Sequence, residues 1–165
     1  MDTNITKQFE SKIAGTNYIT TVISEPEYFD IFKYHWLAGN AENAMTPSLS
    51  VVLTESKAIQ YFGAIPFDEM IGRQIIYEDS LLVNVTGIVK NWNGNTDLAF
   101  TDFISSSSLQ THFLKSRINV ESWRQSDMAS WAFVKLSKGI SSNTVNAQLE
   151  KVVRTHLRGS RTCPS

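Results

Sequence analysis

One cysteine, Cys163, stands in the 165 residues, inside the polar stretch that ends the sequence. No internal disulfide framework can form, and both a reducing cytosol and a cysteine-poor bacterial periplasm suit such a chain. Charge of one sign is also lacking, since 15 Lys and Arg against 16 Asp and Glu leave a formal charge of -1. That balance gives no electrostatic footprint for nucleic acid, which is excluded as a partner. No stretch approaches the roughly 18 successive apolar residues of a membrane-spanning helix. Residues 1–30 open with Met1-Asp2-Thr3-Asn4-Ile5-Thr6-Lys7 and hold no apolar core of a secretory leader.

Signatures of catalysis and of metal binding are missing as well. His35, His112 and His156 are widely separated, and none has the short-range partner of a zinc-binding helix. Cys163 has no histidine neighbour and reads as an ordinary surface thiol. Acidic residues gather at Glu25/Glu27/Asp30, Asp68/Glu69 and Glu78/Asp79. These positions fall in helix first turns and a hairpin loop, where capping, the helix dipole and solvation account for them. A glycine-rich phosphate loop and a Gly-x-Ser-x-Gly elbow are both absent. The chain is therefore read as a non-enzyme, with no catalytic residue, no metal ligand and no cofactor.

What is present is a globular composition, with 42% hydrophobic and 11% aromatic residues. The length suits one ordinary domain or two small lobes. Residues 17–23 read as a strand, and Ser24 with Glu27 has the spacing of a capping box. The box opens a short helix to Phe32 that buries Phe29 and Phe32. Residues 39–50 read as loop. The most informative unit is Val51-Val52-Leu53-Thr54-Glu55-Ser56-Lys57-Ala58-Ile59-Gln60-Tyr61-Phe62-Gly63, a buried strand running into a helix. Thr54 is its expected N-cap, Ala58, Ile59 and Phe62 its apolar stripe, and Gly63 its left-handed stop.

Residues 72–77 and 81–90 pair as a hairpin around Glu78-Asp79-Ser80. In its second strand Val83, Val85 and Val89 alternate with Asn84, Thr86 and Lys90. Residues 101–104 form a further strand, followed by a serine run that caps a helix over 109–115 or stays a loop. Residues 129–136 read as a strand and Lys138-Gly139 as a turn. A last helix carries Val145, Leu149, Val152, Val153, His156 and Leu157 on one face, with Glu150 and Arg154 as an i,i+4 pair. Strands and helices mix without strict alternation, so the fold class is α+β, with a mixed, mostly antiparallel sheet and packed helices. The expected organisation is an N-terminal segment over residues 1–16, a domain over 17–158 and a frayed tail over 159–165.

The 51–63 unit, ending on Tyr61-Phe62-Gly63, resembles the extracytoplasmic domain of MacB-like ABC transporter permeases, the broader FtsX-type group. Further stretches agree in order. Glu25-Pro26-Glu27-Tyr28-Phe29-Asp30-Ile31-Phe32 with Leu37-Ala38-Gly39-Asn40 is similar to the family's aromatic helix and loop, and Ile71-Gly72-Arg73-Gln74-Ile75 to its next strand entry. Val85-Thr86-Gly87-Ile88-Val89-Lys90-Asn91 resembles its central strand, and Trp131-Ala132-Phe133-Val134-Lys135-Leu136 a later one. The resemblance covers residues 18–157. It implies a MacB-like periplasmic domain lying between two membrane helices of a longer permease, on the periplasmic side of the bacterial inner membrane. It also implies a second permease copy as dimer partner and a separate ATPase domain or subunit. Movement driven by ATP would then reach an exported substrate or a periplasmic partner protein through this domain. The missing phosphate loop agrees with ATP hydrolysis elsewhere.

Two departures stand out. The family's loop after the central strand carries proline and histidine, whereas residues 91–97 have neither. The sequence also stops soon after Leu157, before the family's return segment, which implies an exposed edge strand. Against the permease stands a ligand-sensing domain of a membrane receptor, which would show a pocket with convergent polar groups. A hydrolase with a scattered site would instead show a buried acid or histidine in a cleft.

Trp92, followed by Asn93, lies in a polar loop where no core obviously claims it. Exposed aromatics on loops are enriched in interfaces because they bury large areas at little entropic cost. Trp92, Asn93 and Trp123 are the candidate partner contacts, with Phe113 behind them. Lys151, Arg154, Arg158 and Arg161 form a basic helix face, either solvated or turned to anionic headgroups.

Overall fold

Val51, Val52 and Leu53 are each wholly buried. Successive strand side chains point to opposite faces, so this strand needs a core on both sides. It has two. Val51 and Leu53 join one cluster with Ala58, Tyr61, Met70, Ile75 and Ile88. Val52 joins the other, with Phe29, Tyr34, Met45, Val89 and Phe103.

The structure, a computed structural model, describes residues 5–6, 12–13, 16–17, 21–77, 81–96, 98–115 and 132–157. The chain divides into two compact units, residues 1–118 and 119–165. The first holds β1 (Ile5–Thr6), β2 (Lys12–Ile13), β3 (Thr16–Asn17), β4 (Thr21–Ser24), α1 (Glu27–Phe32), β5 (Trp36–Ala38) and α2 (Ala41–Ala44). It continues through β6 (Ser50–Thr54), α3 (Glu55–Phe62), β7 (Gln74–Tyr77), β8 (Leu81–Val89), β9 (Asp102–Ser105) and α4 (His112–Lys115). Two 3-10 turns, Phe67–Met70 and Ser106–Gln110, complete it.

The main sheet runs β1-β7-β8-β6-β9-β4, with β5 also paired to β8. Pairings β7–β8, β5–β8, β6–β9 and the small β2–β3 ribbon are antiparallel. Pairings β1–β7, β6–β8 and β4–β9 are parallel. The fold is thus α+β on a mixed sheet, with three antiparallel and three parallel pairings in it among the described residues and the separate β2–β3 ribbon antiparallel. The expected hairpin is present, with Tyr77 opposite Leu81. Residues 78–80 at its tip lie outside the described residues.

A bulge bends β8. Val51 pairs with Val85 but Val52 with Gly87, leaving Thr86 as the extra residue. The Thr86 hydroxyl bonds the carbonyls of Ala44 (2.7 Å) and Val51 (3.2 Å). At Gly87 a Cβ would stand 2.5 Å from the Trp36 ring and 3.3 Å from Ala44 Cβ. Only glycine lets Trp36 cross the strand there.

Several local expectations are corrected. Ser24 does not cap α1: it is the last residue of β4, paired with Ser105, and its hydroxyl bonds the Glu25 carbonyl at 3.1 Å. Pro26 occupies the N-cap position without a side-chain bond. The loop over 39–50 contains α2, capped by Asn40, which accepts from the Asn43 amide at 3.0 Å. Thr54 sits at the N-cap of α3, but its hydroxyl makes no capping bond and is buried without a partner among the described residues. Ile59 is 40% exposed, and α3 buries Lys57, Ala58 and Tyr61 instead. Gly63 does close α3 at φ 79°, its N–H meeting the Ile59 carbonyl at 2.8 Å.

In the second unit Ser141 caps α5 (Ser142–Leu157), its hydroxyl accepting from the Thr144 amide at 3.3 Å. Arg154 and Glu150 pair at 3.4 Å as expected. Lys138-Gly139 forms the expected turn, with Gly139 at φ 89°. Of residues 129–136, expected as a strand, 132–136 have no regular structure and 129–131 lie outside the described residues. Alternating apolar residues make a strand only where a neighbour completes the ladder, and the described part of this unit supplies none. Leu149, Val152 and Val153, from the apolar stripe of α5, are exposed.

Candidate functional site

Among the described residues of the first unit the exposed aromatic is Trp92, and the chain reaches it by local rules. Lys33 ends α1 in the left-handed conformation (φ 47°, ψ 52°), its N–H bonding the Phe29 carbonyl at 3.1 Å. That reversal sends Tyr34 back into the core and leads into β5. Antiparallel pairing of Trp36 with Val89 continues outward, as the Lys90 N–H donates to the His35 carbonyl at 2.8 Å. Segments 33–35 and 90–94 therefore run side by side.

Between them lies a shallow depression of about 340 Å³. Its floor is aromatic: the Trp92 ring packs on Tyr34 with centroids 5.3 Å apart, and Trp92 keeps 46% of its surface exposed. Tyr34 is itself buried among Tyr28, Phe29 and Phe103, at centroid distances of 6.2, 5.7 and 5.5 Å. Trp92 is thus the outer edge of an aromatic stack that reaches the sheet. Burial pushes the hydroxyls of Tyr28 and Tyr34 above the ordinary tyrosine range. At Gly94 a Cβ would stand 2.9 Å from Trp92 Nε1, so glycine makes room for the indole.

Asn91 turns the other way. Its Oδ1 accepts from the Ser56 amide at 3.1 Å and the Ser56 hydroxyl at 3.0 Å. It supplies the helix cap that Thr54 does not. The 91–96 loop is therefore fastened to α3 on one side and to Tyr34 on the other. The charged groups at the depression are Lys33 and Lys90, both exposed, with His35 beside them, and no acidic residue lines it. Lys33 pairs with Asp30 of α1 at 3.5 Å across solvent.

A second polar constellation, not foreseen from sequence, lies inside the protein. Asp102 is fully buried. Its Oδ2 accepts from the hydroxyls of Tyr61 and Tyr77, both at 2.7 Å, and its Oδ1 from Thr101 at 2.7 Å. Desolvation and the adjacent carboxylate push both tyrosines well above their usual range. The Lys57 ammonium lies 5.2 Å from the Tyr61 ring centre. The cluster joins α3, β7 and β9 with no opening to solvent at Asp102, which suits a structural tie. An aspartate in a strand otherwise made for burial is unusual enough to mark it, but sequence alone does not name its partners.

Of the sequence candidates, the structure brings Trp92 and Asn93 together at the depression. Phe113 packs partly buried against the first core cluster. Trp123 and Cys163 lie outside the described residues. Glu25 receives a bond from the Ser106 hydroxyl at 2.7 Å, while Asp68 and Glu69 lie on the surface. No group of three His, Cys, Asp or Glu side chains converges among the described residues, and no described helix is long and apolar enough to cross a membrane.

Comparison with known proteins agrees with this architecture. The family model of the MacB-like periplasmic core domain matches residues 3–152. A crystal structure described as a domain of a permease protein from Porphyromonas gingivalis aligns with a TM-score of 0.57 at 17% identity, covering 82% of this chain and 54% of that one. The periplasmic region of MacB from Actinobacillus actinomycetemcomitans aligns at 0.49 and 15% identity, covering 79% of this chain and 53% of that one. The chain thus spans about half the length of these structures. No curated protein matches it. The match over most of its length makes the chain a member of the MacB-like periplasmic core domain family, a periplasmic domain of an ABC-transporter-type permease.

Proposed function

We propose that this domain is non-catalytic and passes ATP-driven movement of its permease to a substrate or partner protein outside the inner membrane. In this reading the permease works as a dimer with a separate ATPase domain or subunit, and Trp92 and Asn93 contact the partner. The observation that carries it is mechanical. The most exposed aromatic among the described residues is fixed through Tyr34 to Phe103 on β9, in a sheet buried on both faces. Force applied at Trp92 meets a close-packed body rather than a loose loop.

The test uses the full-length permease with its ATPase in lipid nanodiscs. Cys163→Ser, with any cysteine elsewhere in the permease also replaced, removes the native thiols, and Glu42→Cys places a spin label on the exposed side of α2. Pulsed spin-spin distances between the two copies are expected to shift between nucleotide-free and ATP-trapped states. Distances unchanged by ATP turnover would refute transmission through this domain.

A further inference from the structure

We propose that the Trp92 depression docks a short acidic segment of a partner protein, one that lays an apolar or aromatic side chain against the exposed face of Trp92. The inference rests on the reading of this domain as a partner-contacting part of a permease, and it specifies the chemistry of that partner.

Three observations select the occupant. Two lysines, Lys33 and Lys90, line the depression with no carboxylate in the lining, and Asp30 of α1 meets only Lys33, at 3.5 Å. A chain whose overall charge is -1 has no general reason for this excess, and like charges gathered at one site favour an anionic visitor. The floor is two aromatic rings, one of them half exposed, the kind of surface that serves as an anchor pocket in interfaces. The volume of about 340 Å³ is at the lower end of ligand-sized cavities. It accommodates a few side chains, not an array of headgroups.

A membrane surface fits less well. Asp30 of α1 pairs with Lys33 at the edge of the depression, so a broad anionic surface would meet a carboxylate there, whereas a short segment can seat its acidic side chains against Lys90. A basic segment would be repelled by the depression itself.

The experiment selects random short peptides displayed on phage against the full chain, with counter-selection on the Lys33→Glu/Lys90→Glu variant. Enriched sequences should be rich in Asp and Glu around one aromatic or large aliphatic residue. Their binding, read by fluorescence anisotropy, should weaken at least tenfold in Trp92→Ala and in the charge-reversed variant, and fall as salt rises. Amide shifts in NMR should fall on residues 33–35 and 90–94. Thermal unfolding of both variants should stay close to that of the parent, which separates lost binding from lost fold. No enrichment, enrichment of neutral or basic sequences, or amide shifts elsewhere would overturn the proposal. So would phosphatidylglycerol vesicles binding through these residues where peptides do not. Failure here with ATP-dependent movement intact would reject the acidic partner and leave the permease reading standing. Peptide binding without such movement would do the reverse.

Discussion

Asp102 offers the sharpest quantitative test of how this sheet is held together. Tyr61 and Tyr77 both donate to the same oxygen, Oδ2, at 2.7 Å, while Thr101 serves Oδ1. Tyr→Phe at either position keeps the ring and opens no cavity, so each single change removes one hydroxyl-to-carboxylate bond, about 1.5–3 kcal/mol. The second tyrosine still serves Oδ2 in each single variant. In Tyr61→Phe/Tyr77→Phe the buried oxygen loses both donors, which adds about 1–3 kcal/mol for an orphaned buried acceptor. The double variant should therefore exceed the sum of the singles, with a total on the order of 4–9 kcal/mol, comparable to the whole stability of a small domain. Adding Asp102→Val should then restore stability, since apolar groups replacing all partners of a buried network are far less costly than a broken network. Urea unfolding followed by tryptophan fluorescence measures this, provided the m values agree. Strict additivity of the two tyrosine changes, or a triple variant no more stable than the double, would refute the reasoning.

Other consequences are as direct. Tyr28, Tyr34, Tyr61 and Tyr77 are all held protonated beyond the usual tyrosine range by burial. The unfolded chain releases those protons near pH 10, so stability is full below that pH. It falls above it by about 1.4 kcal/mol per pH unit for each tyrosine that stays protonated in the fold. Tyrosinate absorbance should then rise together with unfolding, and a gradual rise in a still folded protein would contradict the burial argument. Asn91→Ala should lose the cap of α3 and cost about 0.5–2 kcal/mol, with Asn91→Asp retaining most of it; equal losses in the two, by urea unfolding, would dismiss the cap. Gly87→Ala should cost about 1–3 kcal/mol by forcing a methyl into the Trp36 ring, and Trp36→Leu should recover part of that loss in a thermal melt. No recovery would place the strain elsewhere.

What could be read from sequence is what local rules decide. The strand and helix over residues 51–63, the hairpin of β7 and β8 and the Glu150–Arg154 face of α5 all depend on neighbours within a few positions. What was missed depends on residues far apart. Thr54 has the right chemistry for a cap, but Asn91, 35 positions away from Ser56, takes the bond. Ile59 is the more hydrophobic of the two and so the expected one to be buried, but the hydrogen bond to Asp102, 41 positions on, goes with burial of Tyr61 instead. Phe133 and Val134 have strand character, and character alone gives no partner strand.

The candidate site follows the same division. Trp92 was legible because an aromatic in a run of asparagines and glycine has no local reason to be buried. Tyr34 was not, since it reads as one more core aromatic beside α1. Yet Tyr34 determines what Trp92 can be. Without it the indole would be a side chain on a free loop, and ordering it on binding would cost conformational entropy. Packed on Tyr34, with Asn91 fastened to α3 and Gly94 leaving space for the ring, the indole is largely held in place before any partner arrives. A surface proposed both to recognise a partner and to pass on a displacement needs this combination. In that reading Lys33 and Lys90 at the rim would select the partner, and the aromatic stack that ends on the central sheet would supply the stiffness.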